Sequence, residues 1–353
     1  MILKKIILPV ALFIVGTSIS FGQGLVTRPT KPKTVQNNTA SKKKAQTQQS
    51  LNASEMLERG YAEYERGNYP EAVRWYRKAA EQRNVESQNA LGSSYYYGYG
   101  VSKDYSEALR WFRKAAEQGY PDAQYNLGTM YDKGEGISQD YSEAVKWYRN
   151  AAENGHVDAQ YELGKMYNFG RGVLQDYTEA VKWFQKASEE GNAGAQTALG
   201  TKYCNGQGVS KDYSEAIRWF RKAAEQDYAA AEMGLGILYY RGQGIPQDYS
   251  EATKWFRNAA EHGDADAQYN LGAMSYRGQG VSKSYSEAFY WCSKAAEQGQ
   301  TDAQCLLGVM YCNGEGVTQD YKEAKRWLEK AAAQGNQDAI KILQKVKIEK
   351  NCN

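Results

Sequence analysis

Apolar positions from Asp122 onward follow helical spacing. In D-A-Q-Y-N-L-G-T-M-Y, running from Asp122 to Tyr131, Ala123, Leu127, Met130 and Tyr131 share one face, which predicts an amphipathic helix. A second helix is predicted where Ala144, Trp147, Ala151 and Ala152 recur at the same spacing. Asp140 and Glu143 stand before it in the N-cap and N3 positions of a capping box, and Gly155 suits the left-handed position that closes it. The unit is therefore a helix hairpin.

This pattern keeps a strict period. The eight tryptophans Trp75, Trp111, Trp147, Trp183, Trp219, Trp255, Trp291 and Trp327 are each 36 residues after the last. A tyrosine precedes each by six, and Leu-Gly pairs from Leu91-Gly92 to Leu307-Gly308 hold the same register. One hairpin exposes too broad an apolar face to be stable alone, so a stacked array is predicted. The Leu-Gly glycine is expected to let the two helices approach closely, with the tryptophan filling the adjoining gap. Glycine pairs such as Gly134/Gly136 precede Val or Ile and a capped helix. They predict a turn, because a dinucleotide-binding loop needs a preceding strand and a single site.

The repeated pattern L-G-x-x-Y-x-x-G-x-G-V-x-x-D-Y-x-E-A-x-x-W-x-x-K-A-A-E-x-G resembles the Sel1-like repeat, a relative of the tetratricopeptide repeat, from Ala53 to about Lys350. The resemblance implies an all-α solenoid of Sel1-like, TPR-like helix hairpins in a right-handed superhelix that holds other proteins, commonly at bacterial envelopes. It implies no reaction. The first hairpin (53–83) lacks the glycine insertion and reads as a tetratricopeptide-like cap; repeats follow to about 335, then a capping helix at about 337–348. Arg83 and Asp227 stand at the closing glycine position, Ser284 at an N-cap aspartate and Ser275 at a helix tyrosine.

In tetratricopeptide arrays the first helix of each hairpin lines the groove. Carried over, groove positions fall two before the leucine and two, five and six after it. They read Asn89 and Ser93 in the first notched helix, and yield the candidate partner-binding residues Tyr96, Tyr97, Tyr125, Lys133, Tyr161, Lys165, Phe169, Tyr240, Arg241, Tyr269, Tyr276 and Arg277. These positions vary while the framework repeats. Tyrosine and arginine are frequent interface hot spots, and Tyr240, Arg241, Tyr276 and Arg277 form the strongest expected patch. The competing reading is that the tyrosines pack between neighbouring helices.

Lys4 and Lys5, an apolar run from Ile6 to Val15 and the exit Ser20-Phe21-Gly22 predict a secretory leader cleaved after Gly22. No later run approaches the roughly 20 apolar residues of a transmembrane helix. The chain is thus expected to be exported, periplasmic or secreted. Residues 23–52 read as a disordered basic linker in which Arg28, Lys31, Lys33, Lys42, Lys43 and Lys44 face no acid. This tail is expected either to be solvated or to rest on an anionic envelope surface. The remainder carries 36 basic and 41 acidic residues, which disfavours nucleic acid as a partner.

Candidate chemistry is sparse, and no cofactor or metal is expected. His156 and His262 are the two histidines and occupy different repeat positions with no zinc-ligand spacing around them. Some relatives resembling this family are linked with β-lactam binding or hydrolysis, making a β-lactamase-like hydrolase the rival reading. The lone Ser-x-x-Lys, Ser41 to Lys44, falls in the linker, and the cysteine pairs of those relatives are replaced here by Ala116 and Gln124. Of the five cysteines, Cys305 and Cys312 lie two helical turns apart, about 10.5 Å and beyond disulfide reach. Cys292 and Cys305 lie on consecutive helices, where pairing depends on Cβ geometry. The expected function is a non-catalytic scaffold holding a peptide or protein segment in its groove.

Overall fold

A computed structural model describes residues 26–29 and 51–351. The expected leader, Ser41 to Lys44, the lysines of the basic tail and Cys352 lie outside the described residues. Those described form seventeen helices and no strand, an all-α repeat fold, and fall into two bodies divided between Asn192 and Ala193. The N-terminal body holds α1 (Ala53–Glu65), α2 (Tyr69–Glu81), α3 (Val85–Tyr97), α4 (Tyr105–Ala116), α5 (Pro121–Lys133), α6 (Tyr141–Glu153), α7 (Val157–Phe169) and α8 (Tyr177–Glu189). The C-terminal body holds α9 (Ala193–Asn205), α10 (Tyr213–Ala224), α11 (Ala229–Arg241), α12 (Tyr249–Glu261), α13 (Ala265–Arg277), α14 (Tyr285–Glu297), α15 (Thr301–Asn313), α16 (Tyr321–Ala333) and α17 (Gln337–Asn351). Within each body, every helix packs against its neighbours in sequence.

The hairpins begin and end where the local chemistry dictates. Asp140 accepts hydrogen bonds from the backbone of Ser142 and Glu143 at the start of α6, satisfying two of the amides that a helix start leaves without partners. The expected reciprocal half of a capping box is not formed there. The Asp140 amide donates to the Tyr131 carbonyl of α5 at 3.0 Å, tying the hairpin together, and Glu143 pairs with Lys146 one turn on. A full capping box does occur at Asn52 and Glu55. Gly134 closes α5 at φ 72°. Gly136, at the same φ, lies where a Cβ would stand 2.8 Å from the Tyr105 backbone of the preceding repeat. The glycine pair therefore turns the chain and seats one repeat on another.

The tryptophans do not fill the Leu-Gly notch. The residue after each tryptophan does: a Cβ on Gly92 would meet the Phe112 ring at 2.7 Å, and on Gly128 the Tyr148 ring at 2.8 Å. Trp111 instead joins the apolar cluster of Leu57, Tyr76 and Leu91, and Trp183 that of Tyr148 and Leu163. In both cases it covers the core of the preceding hairpin. The notch residue closes the hairpin within itself, and the tryptophan joins hairpins.

Candidate functional site

The face that α3 and α5 share carries a short segment of the chain itself, without regular secondary structure. Residues 26–29 lie in the stretch read as a disordered basic linker, yet Val26 is 1% exposed and belongs to the apolar cluster of Tyr96, Leu127 and Met130. Pro29 is buried too, while Arg28 is exposed. Two residues of that stretch, Val26 and Pro29, are thus buried, and Thr27 between them is half-buried.

Their recognition is through the backbone. Asn126 on α5 accepts the Thr27 amide at Oδ1, 2.7 Å away. Its Nδ2 donates to Thr27 Oγ1 at 2.8 Å and to Asn89 Oδ1 on α3 at 2.9 Å. The Asn89 bond orients the Asn126 amide so that its oxygen faces the segment. Ser93 Oγ donates to the Thr27 carbonyl at 2.8 Å, and the Tyr97 hydroxyl donates to the Val26 carbonyl. The Arg28 guanidinium stands 5.8 Å from the centre of the Tyr97 ring, within cation–π range. Burial raises the Tyr97 hydroxyl pKa, which keeps the phenol protonated as a donor. Of the groove positions expected from the sequence, Ser93 and Tyr97 touch the segment and Asn89 supports it. Asn126, one residue before the leucine, was outside the expected set.

The Ser93 hydroxyl, the Asn126 amide and the Tyr97 phenol are thus all engaged by hydrogen bonds with the segment.

The Sel1 repeat model matches residues 51–84, 85–120, 121–156, 157–192, 193–228, 229–264, 265–300 and 301–336. The chain belongs to the Sel1 repeat family. Its first match includes the hairpin that lacks the glycine insertion. A Sel1 repeat protein from Oxalobacter formigenes is 36% identical, with a TM-score of 0.69 over 83% of this chain and 87% of that one. The protective antigen c5321 of uropathogenic Escherichia coli, which displays an SLR fold, is 38% identical with a TM-score of 0.73 over 84% of this chain. The chain spans 65% of that antigen's length. No curated protein matches it. Sel1 repeats are generally protein-interaction scaffolds, and such scaffolds are typically non-enzymatic.

The remaining candidate residues of these Sel1 repeats divide by burial. Tyr125, Tyr161 and Tyr269 are buried, so their rings pack between helices and offer no open recognition surface. Tyr125 stacks on His156 with ring centres 4.5 Å apart. Lys165 is also buried, paired with Glu162 at 2.7 Å. Tyr96 and Tyr276 tie repeats together, donating to Glu135 at 2.5 Å and Glu315 at 2.7 Å respectively. Lys133, Phe169, Tyr240, Arg241 and Arg277 keep surface, as Tyr276 does in part. Phe169 lies 5.4 Å beneath the Arg171 guanidinium, and Tyr240 packs on Tyr249.

One cluster in the C-terminal body has the composition of a metal site. Asp227, Glu232 and His262 each bring a ligand atom within 4.8 Å of the others. The repeat register accounts for two of them. In other repeats a glutamine side chain donates to a glutamine 30 residues earlier, as Gln298 does to Gln268 and Gln334 to Gln304, both at 2.9 Å. His262 and Glu232 occupy those two positions and make the same bond at 2.9 Å. The thiols are likewise packing groups. Among the described residues Cys204, Cys292, Cys305 and Cys312 are unpaired. Cys292 fills the notch at Gly272, where burial pushes its pKa up to about 12.

Proposed function

We propose that this Sel1 repeat protein holds an extended segment of a partner protein across the face that α3 and α5 share. The observation that carries this reading is the engagement of the Val26 carbonyl and both backbone groups of Thr27 by Tyr97, Asn126 and Ser93. Backbone recognition accepts many sequences, and one apolar pocket adds selectivity, as in other extended-peptide modes.

Selection of extended peptides from a random library by the full chain tests the reading. Asn126→Ala and Tyr97→Phe are expected to reduce capture at least fivefold with helical content retained; undiminished capture by both would remove this face from the function. Tyr240 and Arg241 are assigned to a second contact region in the C-terminal body, and Arg241→Glu with unchanged capture would strike them from it. Export by the leader at 1–22 belongs to the same proposal, and the mass of the secreted chain, beginning at Gln23, tests it.

A further inference from the structure

We infer that residues 26–29 are a tethered stand-in for the partner, occupying the α3–α5 face until a competing segment displaces them. The inference rests on the peptide-holding reading and adds to it both the chemistry of the ligand and a means of control. The ligand it assigns is an extended protein segment bearing a branched aliphatic residue followed by Thr or Ser, then a basic residue and proline.

Each preference comes from a contact. The first residue enters the enclosed apolar site filled by Val26 beside Tyr96 and Tyr97, where a charged side chain would be desolvated without a partner. The second presents a hydroxyl between the two ends of the Asn126 amide: Thr27 Oγ1 lies 2.8 Å from Nδ2 and 3.2 Å from Oδ1. A valine there would set a methyl group against both polar atoms. The basic residue stays in solvent and lies over Tyr97, and the buried proline adds apolar area with little backbone entropy to lose.

The site is specific to this place in the array. The combination of Asn89, Ser93, Tyr97 and Asn126 occurs once in the repeat register: the equivalents of Ser93 and Tyr97 one repeat later are Thr129 and Lys133, and the equivalent of Asn126 is Glu162. An array that used this face only for packing would have no need of such a set. The segment and its site belong to one chain, so the segment competes as an intramolecular ligand at high effective concentration. A free ligand of equal contacts therefore binds the intact chain weakly, and weakening the resident segment opens the site.

The test uses the full chain and a fluorescent peptide with the sequence of residues 24–31, GLVTRPTK. Val26→Asp, which places a charge in the apolar site, is expected to bind this peptide at least tenfold more tightly than the unaltered chain. Adding Asn126→Ala, or the milder Tyr97→Phe, to Val26→Asp is expected to reverse the gain. A peptide with aspartate in place of its valine is expected not to bind. Equal affinity of the unaltered and Val26→Asp chains would overturn the tethered competitor while leaving peptide holding intact. No binding by either chain, with Thr27 amide exchange showing the segment released in Val26→Asp and helical content preserved, would overturn the ligand chemistry and the peptide-holding reading of this face together.

Discussion

Gly164 on α7 and Phe184 on α8 occupy one shared space: a Cβ built on Gly164 would stand 2.6 Å from Cδ1 of the Phe184 ring. Phe184 is fully buried there. Gly164→Ala is therefore expected to cost about 1–3 kcal/mol through overpacking, and Phe184→Ala about 3–5 kcal/mol through loss of the ring. In the double variant the new methyl enters space the ring has left, so its cost is expected to fall short of the sum. A double-mutant cycle by urea unfolding reads the coupling directly. Additivity would mean that the two residues do not compete for space.

That contact also shows where sequence reasoning stops. The 36-residue register of Trp183 and Leu163-Gly164 is enough to place both helices of the hairpin and to mark the glycine as a point of close approach. It cannot say which of two adjacent bulky residues, Trp183 or Phe184, enters the notch, because both repeat with the same period. Direction around the α8 axis decides it, and one residue is a turn of about 100°. The segment at 26–29 is hidden for another reason: averaged over residues 23–52, Val26 is diluted by polar and basic neighbours, and four residues without regular secondary structure have no period to detect. Asn126 lies one residue off the groove positions carried over from tetratricopeptide arrays, at a position that the other notched helices fill with Ala90, Glu162, Ala198, Gly234, Asn270 and Leu306.

Arg83 closes α2 with φ 65°, in the left-handed region, at the position that Gly119 and Gly155 occupy in later repeats. A Cβ at those glycines meets nothing within 4 Å, so the strain at Arg83 is one of backbone conformation alone. L residues pay roughly 1–2 kcal/mol there, partly offset by the greater unfolded-state freedom of glycine. Arg83→Gly is expected to stabilise the N-terminal body by about 0.5–1 kcal/mol, seen as a rise in its unfolding midpoint in urea.

The two histidines respond to pH in opposite senses. His156 caps α7 by accepting the Ala159 amide at Nδ1, 3.1 Å away, and burial lowers its pKa. Below about pH 6.5 the unfolded chain takes up a proton that the folded one resists, so stability falls as pH drops toward the folded value. His262 has its pKa raised by the hydrogen bond to Glu232. Its contribution is complete below about pH 6.5 and is lost as pH rises through the folded value. His156→Asn, which keeps a capping oxygen, is expected to remove the acid-side loss. His262→Gln restores the glutamine of other repeats and is expected to lose stability relative to the unaltered chain at pH 6 but not at pH 9. Chemical denaturation at the two pH values checks both signs.

Asn126 and Asn270 hold the same repeat position four repeats apart, yet they are differently satisfied. Asn126 Oδ1 accepts the Thr27 amide. Asn270 is 1% exposed; among the described residues its Oδ1 is without a hydrogen-bond partner, and its Nδ2 meets the Met233 sulfur at 3.7 Å. A buried acceptor left unmade costs about 1–3 kcal/mol, whereas an apolar group of the same shape carries no such penalty. Asn270→Leu is therefore expected to be neutral or to stabilise the C-terminal body by up to about 1 kcal/mol. Asn126→Leu is expected to destabilise its body by about 2 kcal/mol, because Asn89 Oδ1 and the Thr27 amide both lose their partner. It should also bring amide exchange at Thr27 close to the rate of a free peptide. Equal changes at the two sites, with Thr27 still protected in Asn126→Leu, would show that the asparagine amide does not hold the segment.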